Sequence, residues 1–430
     1  MAGLAVAVLG MIGVLCAAVS GETINADPSN LQKVLDAAKP GDVVQLADGV
    51  YAGGINMNTS GTAGAPITVR GNAAKAVIDG GKWDGFVLWG SWVVVEGIRF
   101  QNAGRAGIGA LASAEKPSEH VTVRNCVCAD NGKWGVITSH TYWFTVEDNE
   151  CFGSKDEHGI YVANSGDDPV IRRNRLHNNA ANGLQLNGDP ECGGDGVISR
   201  ALIEKNIIWE NGRPNGGSGI NLPHVQDALI RNNLIYNNYA SGISIYYDVG
   251  EPAAVSRRNK VVNNTFYFRP GEGRYCLNLK RSTSDTTVKN NIFFGGSYSA
   301  AYVDPTCLVG LDIDYNVYAE HPGYFLLGDG SSPDEERAKA FREAGFEVKT
   351  EKGVEVTVES WKKKGYDAHS SFGVAPKFAD MEKGDFRLAA GSVGSGSGVA
   401  LPELVTEDIE GKPRPKEGAW DCGCYEVQER

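Results

Sequence analysis

The chain has 430 residues, with 41 Lys and Arg against 53 Asp and Glu for a formal charge of −12, and it carries 55 Gly and 17 Pro. At 22% charged and 42% hydrophobic residues it is neither a disordered tail nor a multi-span membrane protein, and without a Gly-X-Y period it is not collagen. The net charge sets the mean field against nucleic acid and anionic lipid, so a polyanionic ligand has to meet a local basic patch.

Residues Met1–Val19 carry no charged side chain, and Ala18-Val19-Ser20 before Gly21 fits a small-residue cleavage site. This reads as a signal peptide over 1–20 and a mature chain that is secreted, periplasmic or extracellular. The leading segment also lacks Lys and Arg, which leaves an uncleaved anchor as the other reading. No later stretch has the ~20 apolar residues of a membrane span. Beyond Cys16, eight cysteines are spread along the chain without the spacing of a zinc site, and most of them read as buried free thiols.

From Ser29 to Ala38, a short amphipathic helix places Leu31, Val34, Leu35 and Ala38 on one side and ends at Pro40-Gly41. A repeated phrase follows: VTVRNCVCADNG (Asn125), FTVEDNECFG (Asn149), VIRRNRLHNN (Asn174), LIEKNIIWENG (Asn206), LIRNNLIYNN (Asn233), KVVNNTFYF (Asn264), TVKNNIFFG (Asn291) and DIDYNVYA (Asn316). The gaps are 24, 25, 32, 27, 31, 27 and 25 residues. ITVRG and VVVEGIRFQNAG carry Gly71 and Gly97 at the Asn position, extending the series to about ten units.

A second phrase recurs within each unit: WGVIT, HGIYV, NGLQL, SGINL, SGISI and YCLNL. Its alternation is that of a strand. No helical stretch separates the strands, so they do not form βαβ units. They stack as a coil in which each turn pairs in parallel with the next at ~4.8 Å. The turn asparagines tolerate a left-handed backbone, and their amides can bond to the Asn one coil away. The predicted fold is an all-β, right-handed parallel β-helix solenoid over 21–320, with the first helix plugging its open end. After Asn316 the period fails. Ser332-Pro333-Asp334-Glu335-Glu336 opens a helix running to Gly345, inside an irregular C-terminal capping region over 321–430.

The segments LQKVLDAAKPGDVVQLADGVY, SGTAGAPITVRG and WVVVEGIRF resemble the opening of secreted β-helix polysaccharide lyases of the chondroitinase B, alginate lyase and pectate lyase type. HGIYVANS and the N-x-x-x-N-N turns, with YDAHSSFGVAPKF and GDFRLAAGS later, are similar to the wider pectate lyase-like group. The resemblance implies that fold and action on a carbohydrate. The Asp-Pro-His-Asp signature of mannuronan epimerases is absent, so no family's site is carried over residue by residue.

The strand phrases also sort inward from outward side chains. Ile160, Leu184, Ile220, Ile243 and Leu277 point inward, as do Val162, Leu186, Leu222, Ile245 and Leu279. The outward column between them is Tyr161, Gln185, Asn221, Ser244 and Asn278. The next is Ala163, Asn187, Pro223, Tyr246 and Lys280, and beyond it lie His140, Asn164, His224, Tyr247 and Arg281. Any one of these polar residues reads as solvated. As a set, spaced one coil apart, they suit an extended polymer whose rings repeat at a comparable length, with Gln185, Asn187, Asn221, Tyr247, Arg274 and Asn278 as binding residues. From Arg257 to Lys289 there are eight basic residues and two acidic ones. This local reversal of charge points to an acidic polysaccharide as ligand; the chain is expected to be a monomer.

Cleaving a uronate chain by β-elimination requires a base at C5, a neutraliser for the carboxylate and a proton for the leaving oxygen. Lys280 is the expected base, because a neighbouring cation at Arg281 would depress its pKa. Arg281 or Arg274 clamps the carboxylate, and Tyr246 or His224 serves as acid; His224 or Tyr246 as base is the alternative. Calcium could replace Arg as neutraliser, held by Asp189, Glu191 and Asp195 in NGDPECGGDGVISR, a stretch that equally suits an ordinary exposed loop. Hydrolysis needs paired carboxylates on one face, and the outward columns hold almost none. A non-catalytic glycan-binding or surface protein, or a uronan epimerase, is the remaining reading.

Overall fold

The computed structural model describes residues 21–248, 250, 252–319, 324–326, 335–350 and 354–427; the predicted signal peptide lies outside them. Each coil contributes one strand to each of three parallel sheets. The first sheet has twelve strands, from Thr23–Ala26 to Asp312–Asp314. The second also has twelve, from Gly49–Ala52 to Ser371–Phe372. The third has ten, from Ile55–Met57 to Ser299–Val303. This is the parallel β-solenoid that the repeat predicts. Among the described residues, no helix is long and apolar enough to cross a membrane.

The two inward columns read from the sequence, Ile160 to Leu277 and Val162 to Leu279, are fully buried and stack in register. The helix Leu31–Ala37 buries Leu31 and Leu35 against the same core, closing the end of the first coil where strand edges would otherwise be exposed.

The asparagines divide the two jobs expected of them. Asn149, Asn174, Asn206, Asn233, Asn264, Asn291 and Asn316 are buried and form a continuous ladder. In each step the side-chain amide and the backbone N–H both donate to the next Oδ1, as in Asn206 to Asn233 at 3.0 Å for both. The residue just before each rung takes the left-handed turn instead: Asp148, Arg173, Lys205, Asn232, Asn263, Asn290 and Tyr315, with φ between +52° and +58°. Asn125 belongs to this turn column, at φ +53°, and not to the ladder, where Cys126 holds the top place and donates its N–H to Asn149 Oδ1. The repeat is therefore one residue out of frame at its first Asn. Asn125 is followed by Cys126 and not by a second asparagine, and a lone asparagine is compatible with either place.

Beyond Asn316 the chain forms the helices Glu335–Glu343 and Val358–Lys363. Trp361 is buried over the last coil, with its indole N–H on Asp367, which also accepts from Tyr318 Oη. The tail then turns back along the corner between the first and second sheets. Asn232 donates to Glu407 O, Asn263 to Asp421 O and Asn290 to Val399 O. Arg414, paired with Glu426 and fully buried, donates to Asn232 Oδ1. The sequence reading placed this whole segment over the end of the stack. The residues that hold it on the flank are the left-handed turn residues, whose side chains project outward from the corner.

Candidate functional site

The outward face of the third sheet carries a cleft of about 510 Å³ between the coils that hold Asn182 and Tyr302. The register places Gln185, Asn221, Ser244, Asn278 and Tyr302 in one line, with Tyr246 and Lys280 paired beside it. The floor is cross-linked. Asn182 and Asn221 donate to Gln185 Oε1 at 2.8 and 2.7 Å, and Asn221 also donates to Tyr246 Oη at 3.1 Å. Asn278 donates to Ser244 Oγ, which lies 3.1 Å from Ser218 Oγ. These residues are set by strands on a rigid core, so the floor is preorganised.

Lys280 Nζ lies 4.8 Å from the centre of the Tyr246 ring and has no hydrogen bond or ion pair among the described residues. Burial holds its pKa below the ordinary lysine value, and the Arg281 and Arg274 guanidinium groups push it the same way, against an opposing effect of Asp248. Arg281 is ion-paired with Asp248, both half exposed. The Arg274 guanidinium makes no ion pair among the described residues and faces the cleft. Burial raises the Tyr246 phenol above its usual value, with the Asn221 bond opposing. Because Tyr246 Oη accepts from Asn221, its own proton is free to point into the cleft.

The cleft thus gathers Lys280, Arg281, Tyr246, Asn221, Arg274 and Asn278 of the residues expected from the sequence, with Gln185 bracing the floor. Others lie elsewhere. His224 is buried, in a left-handed turn at φ +57°, with Nδ1 3.1 Å from Ala254 O. It follows the last residue of its strand, Pro223, and lies in the wall beneath residues 252–254. Tyr247 donates to Gly250 O and packs edge-on to His224. Asn187 accepts from the Asp189 N–H and orders the loop after its strand. Among the described residues no group of three or more His, Cys, Asp or Glu is placed to hold a metal ion. Asp195 accepts from Ser165 Oγ and the Val197 N–H, and Asp189 opens the short turn Pro190–Cys192 from a left-handed backbone. The three loop acids are not gathered into a cation cage.

Three aromatic residues and one cation in the cleft escaped the sequence reading. Tyr275 packs against Tyr298 and Tyr302 at 5.7 and 5.3 Å, and Arg337, from the helix Glu335–Glu343, lies 5.2 Å over Tyr302 and 3.7 Å from Asp304. Tyr302 extends the outward column by one coil. Its strand, SAAYV, has Ala301 where earlier coils have Leu or Ile, which hid the alternation. Arg337 had no signal in the repeat at all. The eight described cysteines are unpaired and all but Cys192 are buried, as expected for most of them from the sequence.

A stack of three parallel sheets with a polar, cationic cleft along one of them defines a β-helix protein with an elongated outward site. The chain belongs to the right-handed β-helix family: the model described as "Right handed beta helix region" matches residues 53–192 and 191–304, more than half of the sequence. No curated protein matches the chain by sequence. Among solved structures, a pectate lyase, Pel9A, is similar at a TM-score of 0.60 and 17% identity over 95% of this chain and 97% of that one. XylC in complex with xylose is similar at a TM-score of 0.54 and 10% identity, over 95% and 99%. An alginate lyase from Paenibacillus sp. strain FPU-7 is similar at 0.53 and 22% identity, over 68% and 99%. At these identities the likeness is one of fold.

Proposed function

We propose that the protein acts outside the cytoplasm as a lyase on an acidic, uronate-containing polysaccharide. The observation that carries this reading is Lys280: a half-buried amine, unpaired among the described residues, on the floor of an open cleft, its pKa lowered by burial and then by the neighbouring cations. Arg274, Lys280, Arg281 and Arg337 face it; with Arg281 paired to Asp248 and Arg337 beside Asp304, the one lining carboxylate, Arg274 and Lys280 remain as its surplus cations. That balance attracts a polyanion. It also counts against hydrolysis, which needs two carboxylates across the scissile bond. The pectate and alginate lyases among the structural neighbours act on uronate chains by their names, which agrees with the charge of the cleft.

In this reading Arg274 binds the substrate carboxylate and stabilises the charge that develops as C5 loses its proton. Neutral Lys280 takes that proton. The electron pair forms the C4–C5 double bond, the bond from C4 to the glycosidic oxygen breaks, and Tyr246 protonates the departing oxygen. Polygalacturonate, alginate and glycosaminoglycans, each offered with and without calcium, test the reading through the ultraviolet absorbance of the unsaturated product. Lys280→Ala is expected to abolish that product. Binding without cleavage would make the protein a glycan-binding module, and a change of uronate configuration without cleavage would make it an epimerase.

A further inference from the structure

The outward column of the third sheet does not stop at the cleft. From Asn278 it runs back in unbroken register through Ser244, Asn221, Gln185, Tyr161, Ile137 and Gly109 to Val87. At that far end lies a separate groove of about 360 Å³. Its walls are two tryptophans at opposite ends of the strand Phe86–Leu88: Trp83, 65% exposed, and Trp89, 47% exposed. Between them the floor is Val87, with Leu111 on the neighbouring strand completing it. Trp89 is held in place by its indole N–H on Asn56 Oδ1 at 3.3 Å.

We infer that Trp83 and Trp89 form a second carbohydrate-contact site, which takes a sugar ring of the same extended acidic polysaccharide that enters the Lys280 cleft. Indoles exposed to this extent, when they line one groove, are recognition surfaces and not packing. The local charge suits a uronate. Lys82 Nζ lies 5.6 Å from the Trp83 ring, and the one acid of the groove, Asp84, is neutralised by Arg105 at 2.8 Å. The occupant follows from alignment: the two sites share one face and one column, seven coils apart, or about 34 Å at ~4.8 Å per coil. At one sugar per coil, a chain of roughly eight residues is needed to reach both. A second contact on one polymer raises affinity through effective concentration, without altering either site.

This inference rests on the acidic-polysaccharide reading of the cleft, and its test separates the two. Dissociation constants are measured by calorimetry for polygalacturonate and alginate, as trimers and as chains longer than about eight sugars, the span set by the coil spacing. For the parent protein, affinity is expected to rise with length. In the double variant Trp83→Ala/Trp89→Ala, the affinity for long chains is expected to fall about tenfold, toward that for trimers, the loss that accompanies removed aromatic contacts. An unchanged length dependence in the variant, or no binding of either polymer by the parent, overturns the second site. If unsaturated product forms while the length dependence is untouched by the variant, cleavage stands and this site falls. If the length dependence is lost in the variant but no product ever forms, the site stands and the lyase reading falls.

Discussion

Tyr246 and Lys280 are paired in register on neighbouring coils, with the ammonium nitrogen 4.8 Å from the centre of the phenol ring. The pairing puts a group that gives up its proton unusually readily next to one that holds its proton unusually firmly. In the proposed reaction these are the base and the acid, set on adjacent coils of one sheet.

The lysine governs the acid limb of the pH profile. Only the neutral amine abstracts a proton, so kcat/KM rises as pH climbs through a Lys280 pKa that lies below the ordinary value. Arg281→Gln removes a cation that depresses this pKa, so the limb moves to higher pH. Asp248→Asn removes the opposing carboxylate, so the limb moves to lower pH. Rate profiles on polygalacturonate or alginate check this; shifts in the same direction for both variants would rule Lys280 out as the titrating base.

Tyr246→Phe keeps the ring beneath the ammonium group and deletes the donor. The expected loss in kcat is roughly 10²- to 10⁴-fold, the usual contribution of a positioned proton donor, with KM little changed. An intact kcat would assign protonation of the leaving oxygen to another group.

Arg274 faces the cleft without a carboxylate partner among the described residues, so its charge is available to the polyanion. Arg274→Gln is expected to weaken binding roughly tenfold, as for one charge-assisted hydrogen bond. It is also expected to flatten the salt dependence of affinity, since screening acts on the attraction that has been removed. Titrations at two ionic strengths measure both effects.

Two asparagines predict opposite costs. Asn233 donates to Ile203 O and Asn264 Oδ1 at 2.9 Å and accepts twice from Asn206 at 3.0 Å. Asn233→Ala leaves several buried groups unsatisfied and is expected to cost about 3 kcal/mol. Asn125 sits exposed in the left-handed turn, a conformation that glycine adopts freely. Asn125→Gly is therefore expected to stay within about 0.5 kcal/mol of the parent. Chemical unfolding of both variants decides whether ladder and turn carry the loads assigned here.

The coils and the inward columns were legible because burial alternates with a fixed period along each strand, and a period survives in one dimension. The outward column from Tyr161 to Asn278 followed from the same alternation, which is why Lys280, Tyr246 and Asn221 could be grouped before any coordinates. The reading failed where a strand ends. Position 224 continues the numbering of the column, but its imidazole is buried against Ala254 O, whereas Arg281, in the same left-handed turn after its strand, lines the cleft. Alternation says nothing about the residue after the last rung.

The amino-acid order by itself determined the solenoid and its core, since both depend on neighbours a fixed number of residues away; of the eight basic residues from Arg257 to Lys289, only Arg274, Lys280 and Arg281 line the cleft. Tertiary structure alone decided which groups close the cleft and which hold the tail. Arg337 over Tyr302, and Arg414 on Asn232 across 182 residues, are contacts between segments with no common period. They arise only once the stack has formed a surface for later segments to pack on, because side-chain shape and charge at that surface, not spacing along the chain, select what settles there.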